Sequence, residues 1–154
     1  MIRTYFALAM AGSSLAAIAG GSPDSCALLT AKDASAAVGQ PLIVAPNSGG
    51  INCRYNGAGG PAVLGVEITV KVKSDAATAH ADFPRWVLPV PVKGAGGPTI
   101  TPVPNLGDEA SIVRGPVVSG VHFRHGATLI KIGVHPPVAD AALKTVAATV
   151  LSRL

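Results

Sequence analysis

The chain has 154 residues, a formal net charge of +4 at pH 7 and 49% hydrophobic residues. This length suits one domain with a substantial hydrophobic core. The basic residues are scattered, and only 4% of the residues are aromatic. Because the sequence has no basic run and few aromatic side chains for base stacking, we do not expect the protein to bind nucleic acid.

Residues 1–19 are predicted to be a cleavable signal peptide. Arg3 precedes an uncharged stretch from Tyr5 to Ile18, and Ala17-Ile18-Ala19 supplies the small-x-small pattern that signal peptidase reads. The stretch is shorter than the roughly 20 apolar residues of a transmembrane helix. A buried N-terminal helix is the alternative interpretation. We expect an exported protein, periplasmic or secreted, whose residues 20–154 form a single domain without stable membrane insertion.

Cys26 and Cys53 are the two cysteines of the chain. In an oxidising compartment such a pair predicts a disulfide, which stabilises a domain of this kind by roughly 3.5 kcal/mol in the chain-entropy account. A catalytic thiol is the alternative, although the sequence contains no CxxC motif. Pro23-Asp24-Ser25 before Cys26 does not suit a lipoprotein cleavage box, so lipidation is not expected.

The chain up to residue 73 is predicted to form one short helix and three strands. Thr30 and Asp33 have the spacing of a capping box, and the alanine-rich helix that follows ends at Gly39. Two short strands are predicted next, at 42–44 and 51–55. The clearest strand is 64–73, where apolar residues alternate with Glu, Thr and Lys, so that one face is buried and the other is solvated.

A second helix, capped by Ser74, is predicted to run to about Asp82, where Pro84 ends or kinks it. The segment 84–104 contains six of the 13 prolines and is interpreted as a long irregular loop. Long loops in compact domains are often functional or simply mobile. A strand at 110–113 is expected to follow it.

Residues 117–135 are predicted to form a hairpin that turns at His125-Gly126. This register pairs Val121 with Ile130 and gives the hairpin one apolar face. The opposite face then carries His122, Arg124 and Lys131. A terminal helix from about 139, with an apolar stripe, completes a mainly antiparallel sheet with helices packed on it, an α+β fold.

Several of these segments resemble a group of small exported bacterial proteins of unknown function, many of them actinobacterial lipoproteins. The resemblance lies in Cys26-Ala27-Leu28-Leu29-Thr30, Gly39, Cys53-Arg54-Tyr55 and 103–110, followed by a hairpin and an alanine-rich helix. It implies a PsbP-like α-β sandwich and a cell-envelope location. It brings no catalytic residues or cofactor, and the absence of a lipobox cysteine departs from the lipoproteins.

Two classes of function remain open. The first is a non-enzymatic domain that binds an envelope protein or a small ligand. Its candidate binding surface consists of His122, Arg124, Lys131 and Trp86, together with the 84–104 loop. Two positive charges and an imidazole suit an anionic partner, and attraction would grow as the pH falls toward the ordinary histidine pKa of about 6.5. A solvated sheet face, or a helix that covers this face, is the alternative.

The second class is an extracytoplasmic hydrolase or metal-dependent enzyme that uses His122 or His125 with Asp108 or Glu109. General acid-base chemistry would require these side chains to meet in one apolar pocket. Neither a nucleophile elbow nor a phosphate-binding loop is present. The first class is therefore favoured, with no catalytic residue, metal or cofactor assigned.

Overall fold

In the part of the chain that the computed structural model describes, seven strands form one antiparallel sheet with helices on both faces. The structure describes residues 22–57, 65–88 and 97–154. The predicted signal peptide at 1–19 lies outside these residues, as does part of the predicted 84–104 loop. Every pair of neighbouring strands is antiparallel, in the order β1-β2-β3-β7-β6-β5-β4. The elements, in chain order, are α1 (Ser25–Leu28), α2 (Ala31–Val38), β1 (Leu42–Val44), β2 (Asn52–Gly57), β3 (Gly65–Val72), α3 (Ala76–Val87), β4 (Thr99–Pro102), β5 (Glu109–Arg114), β6 (Ser119–His125), β7 (Thr128–His135) and α4 (Asp140–Leu151).

The prediction of an α+β fold with a mainly antiparallel sheet is confirmed. The predicted capping box of α2 is present, because Thr30 accepts from the backbone of Asp33 and the Asp33 carboxylate accepts from the backbone of Thr30. Gly39 ends the helix with a positive φ of 70°, which a residue without a Cβ adopts at little cost. No helix in the described part of the chain is long and apolar enough to cross a membrane.

The inner face of the sheet carries the main hydrophobic core. Alternate residues of β3, β6 and β7 point to this face, where α1, α2 and α4 cover them. The buried side chains of α4 recur at helical spacing, as the sequence predicted. The residues at the centre of this layer are Val66, Ile68, Val70, Val121, Phe123, Ile130, Ile132, Leu143, Val146 and Val150.

Two polar links and one covalent link attach the N-terminal helices to the rest of the fold. The predicted disulfide between Cys26 and Cys53 is present, with Cα atoms 5.2 Å apart, and it joins α1 to β2. Buried Tyr55 donates to the carbonyl of Leu29, and burial raises the Tyr55 pKa to about 12. Asp33 accepts a 2.6 Å bond from Arg153, and this bond lowers the Asp33 pKa to about 2.

The hairpin prediction was correct in its faces and wrong in its register. Val121 pairs with Ile132, two residues beyond the predicted partner Ile130. The loop is Gly126-Ala127, closed by the pair of His125 and Thr128, and Gly126 supplies the positive φ of 55°. A shift of two residues leaves every side chain on its predicted face, because the side-chain period of a strand is two.

Two predictions around the proline-rich segment were wrong. Helix α3 does not end near Asp82 but continues through Pro84 to Val87. Buried Phe83 and Val87 anchor this last turn on the sheet, and their burial offsets the backbone hydrogen bond that Pro84 cannot make. Residues 99–102, assigned to the loop, instead form edge strand β4, which pairs with β5.

Candidate functional site

Among residues 22–57, 65–88 and 97–154, helix α3 covers only part of the outer face of the sheet, opposite the main core. Helix α3 packs there through Ala79, Phe83 and Val87, which meet Val113 of β5 and Leu129 of β7. Its most extensive strand contacts are with β6 and β7, while β2 and β3 lie farther along the sheet on the β7 side. The face that the sequence assigned to solvent is therefore divided into a part under α3 and an open part beside it.

The open part holds a groove of about 420 Å³, here called the outer groove. Binding sites for small organic ligands commonly occupy about 300–1,000 Å³, so the groove has room for one. Its walls combine charged, polar and apolar side chains. The side chains that matter below are Arg54, Glu67, Thr69, Val118, His122 and Lys131.

Glycines keep the floor of the outer groove low. Gly133 pairs with Glu67 on one side and with Gly120 on the other, so a row across the sheet has few side chains. A Cβ at Gly133 would meet only Val118 Cγ1, at 4.0 Å. A Cβ at Gly120 would stand 2.8 Å from the carbonyl oxygen of Ile132, so this position tolerates no side chain without a backbone shift.

His122 lines the outer groove but is itself buried, with 9% of its surface exposed. Burial, helped by the positive charge of Lys131, lowers the pKa of His122 to about 4. Its Nδ1 is buried without a hydrogen-bond partner among the described residues. The predicted protonation of His122 near pH 6.5 is therefore wrong, because α3 shields the imidazole from water.

Lys131 lies at the border of the outer groove and of a second depression. Its ammonium stands 4.5 Å from the ring centroid of Trp86, a cation-π contact that holds the side chain against α3. Burial lowers the pKa of Lys131. The structure thus brings together three of the four predicted surface residues, His122, Lys131 and Trp86.

The second depression is here called the basic notch, and it lies between α3 and the strands β3 and β7. It encloses about 200 Å³ over the buried side chain of Leu129 and the ring of Trp86. Its charged side chains are Lys71, Lys73, Asp82, Arg85 and Lys131.

Arg124, the fourth residue of the predicted surface, is not part of either depression. Its guanidinium donates from Nε to Glu109 at 2.7 Å and from Nη1 to Asp108 at 3.0 Å. His80 Nδ1 lies 2.6 Å from the same Glu109 oxygen. Because two carboxylates compensate its charge, Arg124 does not offer the open cation that the sequence predicted.

The four residues proposed for an enzyme do not meet in one pocket. Asp108 and Glu109 bind Arg124, and Asp108 also accepts from the backbone of Gly126 at 2.8 Å, so they fix the hairpin turn. His122 lies under α3, and His125 is exposed at the end of β6. Among residues 22–57, 65–88 and 97–154, no three His, Cys, Asp or Glu side chains are grouped to hold a metal ion.

The sequence analysis did not identify three basic residues of the notch, Lys71, Lys73 and Arg85, although their spacing indicates shared faces. Lys71 and Lys73 alternate with Val70 and Val72, so they share one face of the strand. Asp82, Arg85 and Trp86 share a helix face only if the helix continues past Pro84. Because a break was predicted at Pro84, these residues were not recognised as one group.

The chain matches no family model, no curated protein and no solved structure.

Proposed function

We propose that this chain is an exported, non-enzymatic binding domain of the cell envelope or the secreted fraction, and that the outer groove receives its ligand or partner. The open groove beside α3 carries the proposal, because it combines a deep floor with polar groups and a cation. Such combinations of apolar walls with a few placed polar groups are typical of ligand sites. Membership of the exported bacterial group with a PsbP-like fold belongs to the same proposal.

The walls of the groove define what it can bind. Arg54 is paired with Glu67 at 3.0 Å, so these two charges largely cancel on the rim. Of the described Lys and Arg residues in the groove walls, Lys131 is the one without a carboxylate partner, and Thr69, directly opposite it on β3, adds a hydroxyl. Val118 provides an apolar wall. The groove therefore suits an amphipathic molecule with one acceptor or anionic end.

We expect Gly133→Val to abolish binding in the outer groove without unfolding the protein. A valine fits a central strand and fills open space above the floor, since a Cβ there meets only Val118. Envelope extract of the source organism, separated by dialysis into small molecules and macromolecules, is titrated into ¹⁵N-labelled protein. Amide shifts should change at Thr69, Lys131 and Gly133.

Gly97→Val is the matched control, because a Cβ at Gly97 meets no described residue within 4 Å and Gly97 does not line the groove. This variant should retain the shift changes, while Gly133→Val loses them. Shift changes that persist in Gly133→Val, or that appear on α2 and α4 instead, would show that the groove is not the binding site.

Export is the second element of the proposal, and it predicts a processed N-terminus. Protein recovered from the periplasm or the culture medium should begin at Gly20, because Ala17-Ile18-Ala19 precedes the expected cleavage point. Edman sequencing or intact-mass measurement checks this. Recovery of protein that still begins at Met1 would contradict cleavage.

A further inference from the structure

The basic side chains of this protein are unevenly compensated. Half of the described Lys and Arg residues pair with a carboxylate within 4.0 Å. Asp24 and Asp75, the acids without an ion pair in the described chain, are occupied as helix caps. The described basic residues that lack a carboxylate at this distance are Lys32, Lys71, Arg85, Lys131 and Lys144. Three of these five line the basic notch.

The sheet and helix place these charges at close quarters. Thr69 pairs with Lys131 and Lys71 pairs with Leu129, so Lys71 and Lys131 are diagonal neighbours on the outer face. Arg85 reaches the same notch from α3. Diagonal neighbours on one face lie about 7–8 Å apart, so the two ammonium groups can approach the same anion.

Asp82 compensates only part of this charge. Its carboxylate pairs with Lys73, and this bond is the main cause of its lowered pKa, to which the charges of Lys71 and Arg85 add. The described residues of the notch carry four cations and one carboxylate, an excess of three positive charges. Burial lowers the pKa of Lys131, because a partly buried ammonium loses hydration. An anion bound close to it would compensate for this loss.

We propose that the basic notch binds a phosphate monoester group. A phosphate dianion offers three acceptor oxygens and up to two negative charges, which match donors converging from β3, β7 and α3. Arg85 supplies a planar fork for two of these oxygens, and Lys71 and Lys131 supply point charges. The notch of about 200 Å³ accommodates such a group and a small part of the molecule that carries it.

This proposal deepens the proposed function by adding a ligand class to the same face, and it rests on that function only for its physiological meaning. An experiment can contradict phosphate binding in the notch without contradicting ligand binding in the outer groove, and the reverse. Gly133→Val fills the outer groove and leaves the charged side chains of the notch in place, so it should still bind phosphate even though it has lost the groove ligand.

Calorimetric titration with inorganic phosphate and with glycerol 3-phosphate, at low ionic strength and pH 7.5, tests the notch. We expect binding with a Kd of about 1 mM or tighter that weakens with added salt. Lys71→Gln/Arg85→Gln should weaken it at least tenfold. Both side chains are exposed, so the double variant should stay folded, which circular dichroism verifies.

The matched control is Lys32→Gln/Lys144→Gln, which removes the same number of unpaired cations elsewhere and should leave the Kd unchanged. Vesicles that contain phosphatidate, compared with vesicles of equal charge made with phosphatidylserine, distinguish a lipid headgroup from a soluble ester. Preference for either phosphate source supports the proposal. Equal loss in the control variant, equal affinity for acetate, or no binding at low salt would overturn it.

Discussion

Replacement of both Cys26 and Cys53 by alanine is expected to lower the free energy of unfolding by about 3.5 kcal/mol. The bridge joins residues 27 apart in sequence, and closing this loop restricts the unfolded chain. It also ties α1 and the residue after it, with core side chains Leu28 and Leu29, to the buried centre of β2. Urea unfolding of residues 20–154, followed by far-UV circular dichroism, measures the change.

A reducing agent provides the control for this measurement. Reduction of the wild-type disulfide should lower stability by nearly the same amount, whereas the double alanine variant should not respond to the reductant. A loss below about 1 kcal/mol in both cases would mean that the unfolded chain is already compact around this loop. The prediction concerns folding only, because neither cysteine lines the outer groove or the basic notch.

The strands and helices could be predicted where local chemistry and burial agree. Thr30, Asp33 and Gly39 define the ends of α2 through hydrogen bonds and a positive φ that depend on neighbouring residues alone. In β3, the alternation of apolar and polar residues correctly predicted which face is buried, because this pattern also depends on neighbouring residues alone. The hairpin register was harder, because a shift of two residues preserves both faces and only the turn at Gly126 distinguishes the alternatives.

Long-range packing decided the elements that were missed. Pro84 disfavours a helix locally, but Phe83 and Val87 gain burial against Val113 and Leu129, which are distant in sequence. Strand β4 contains Pro102 and no buried side chain, so its pairing with β5 leaves little trace in the pattern of hydrophobicity.

The sequence predicted where the candidate site lies, but not which of its side chains carry an uncompensated charge. Strand alternation placed His122 and Lys131 on the outer face, and both line the groove there. Glu109 meets Arg124 because the two are direct partners in the β5–β6 ladder, and Asp108 meets it because the turn at 105–108 approaches the end of β6. Sequence spacing reveals neither the register nor this approach. The burial of His122 depends on α3, whose length the proline concealed.

The turn at 105–108 depends on a glycine that no other residue can easily replace. Gly107→Ala is expected to lower the free energy of unfolding by about 3 kcal/mol. Gly107 has a positive φ of 61°, which costs an alanine about 1 kcal/mol. Its Cβ would also come within 2.4 Å of the carbonyl oxygen of Arg124, and such overlaps with packed atoms cost about 1–3 kcal/mol more.

The overlap affects more than the glycine. The same Arg124 carbonyl accepts a 2.8 Å hydrogen bond from the backbone of Asp108. We expect a backbone shift that relieves the clash to lengthen this bond and to move the carboxylate of Asp108 away from the guanidinium of Arg124. The side chain of Arg124 is only 11% exposed, so water compensates poorly for the lost partner.

Gly39→Ala separates the two causes, and equilibrium unfolding in urea measures both variants. Gly39 has a comparable φ of 70°, but a Cβ there meets nothing within 4 Å. Its substitution should therefore cost only the backbone term, about 1 kcal/mol. If the two variants lose equal stability, the close approach of Gly107 to the carbonyl of Arg124 does not contribute to stability. The ion pairs of Arg124 with Asp108 and Glu109 then do not depend on this turn.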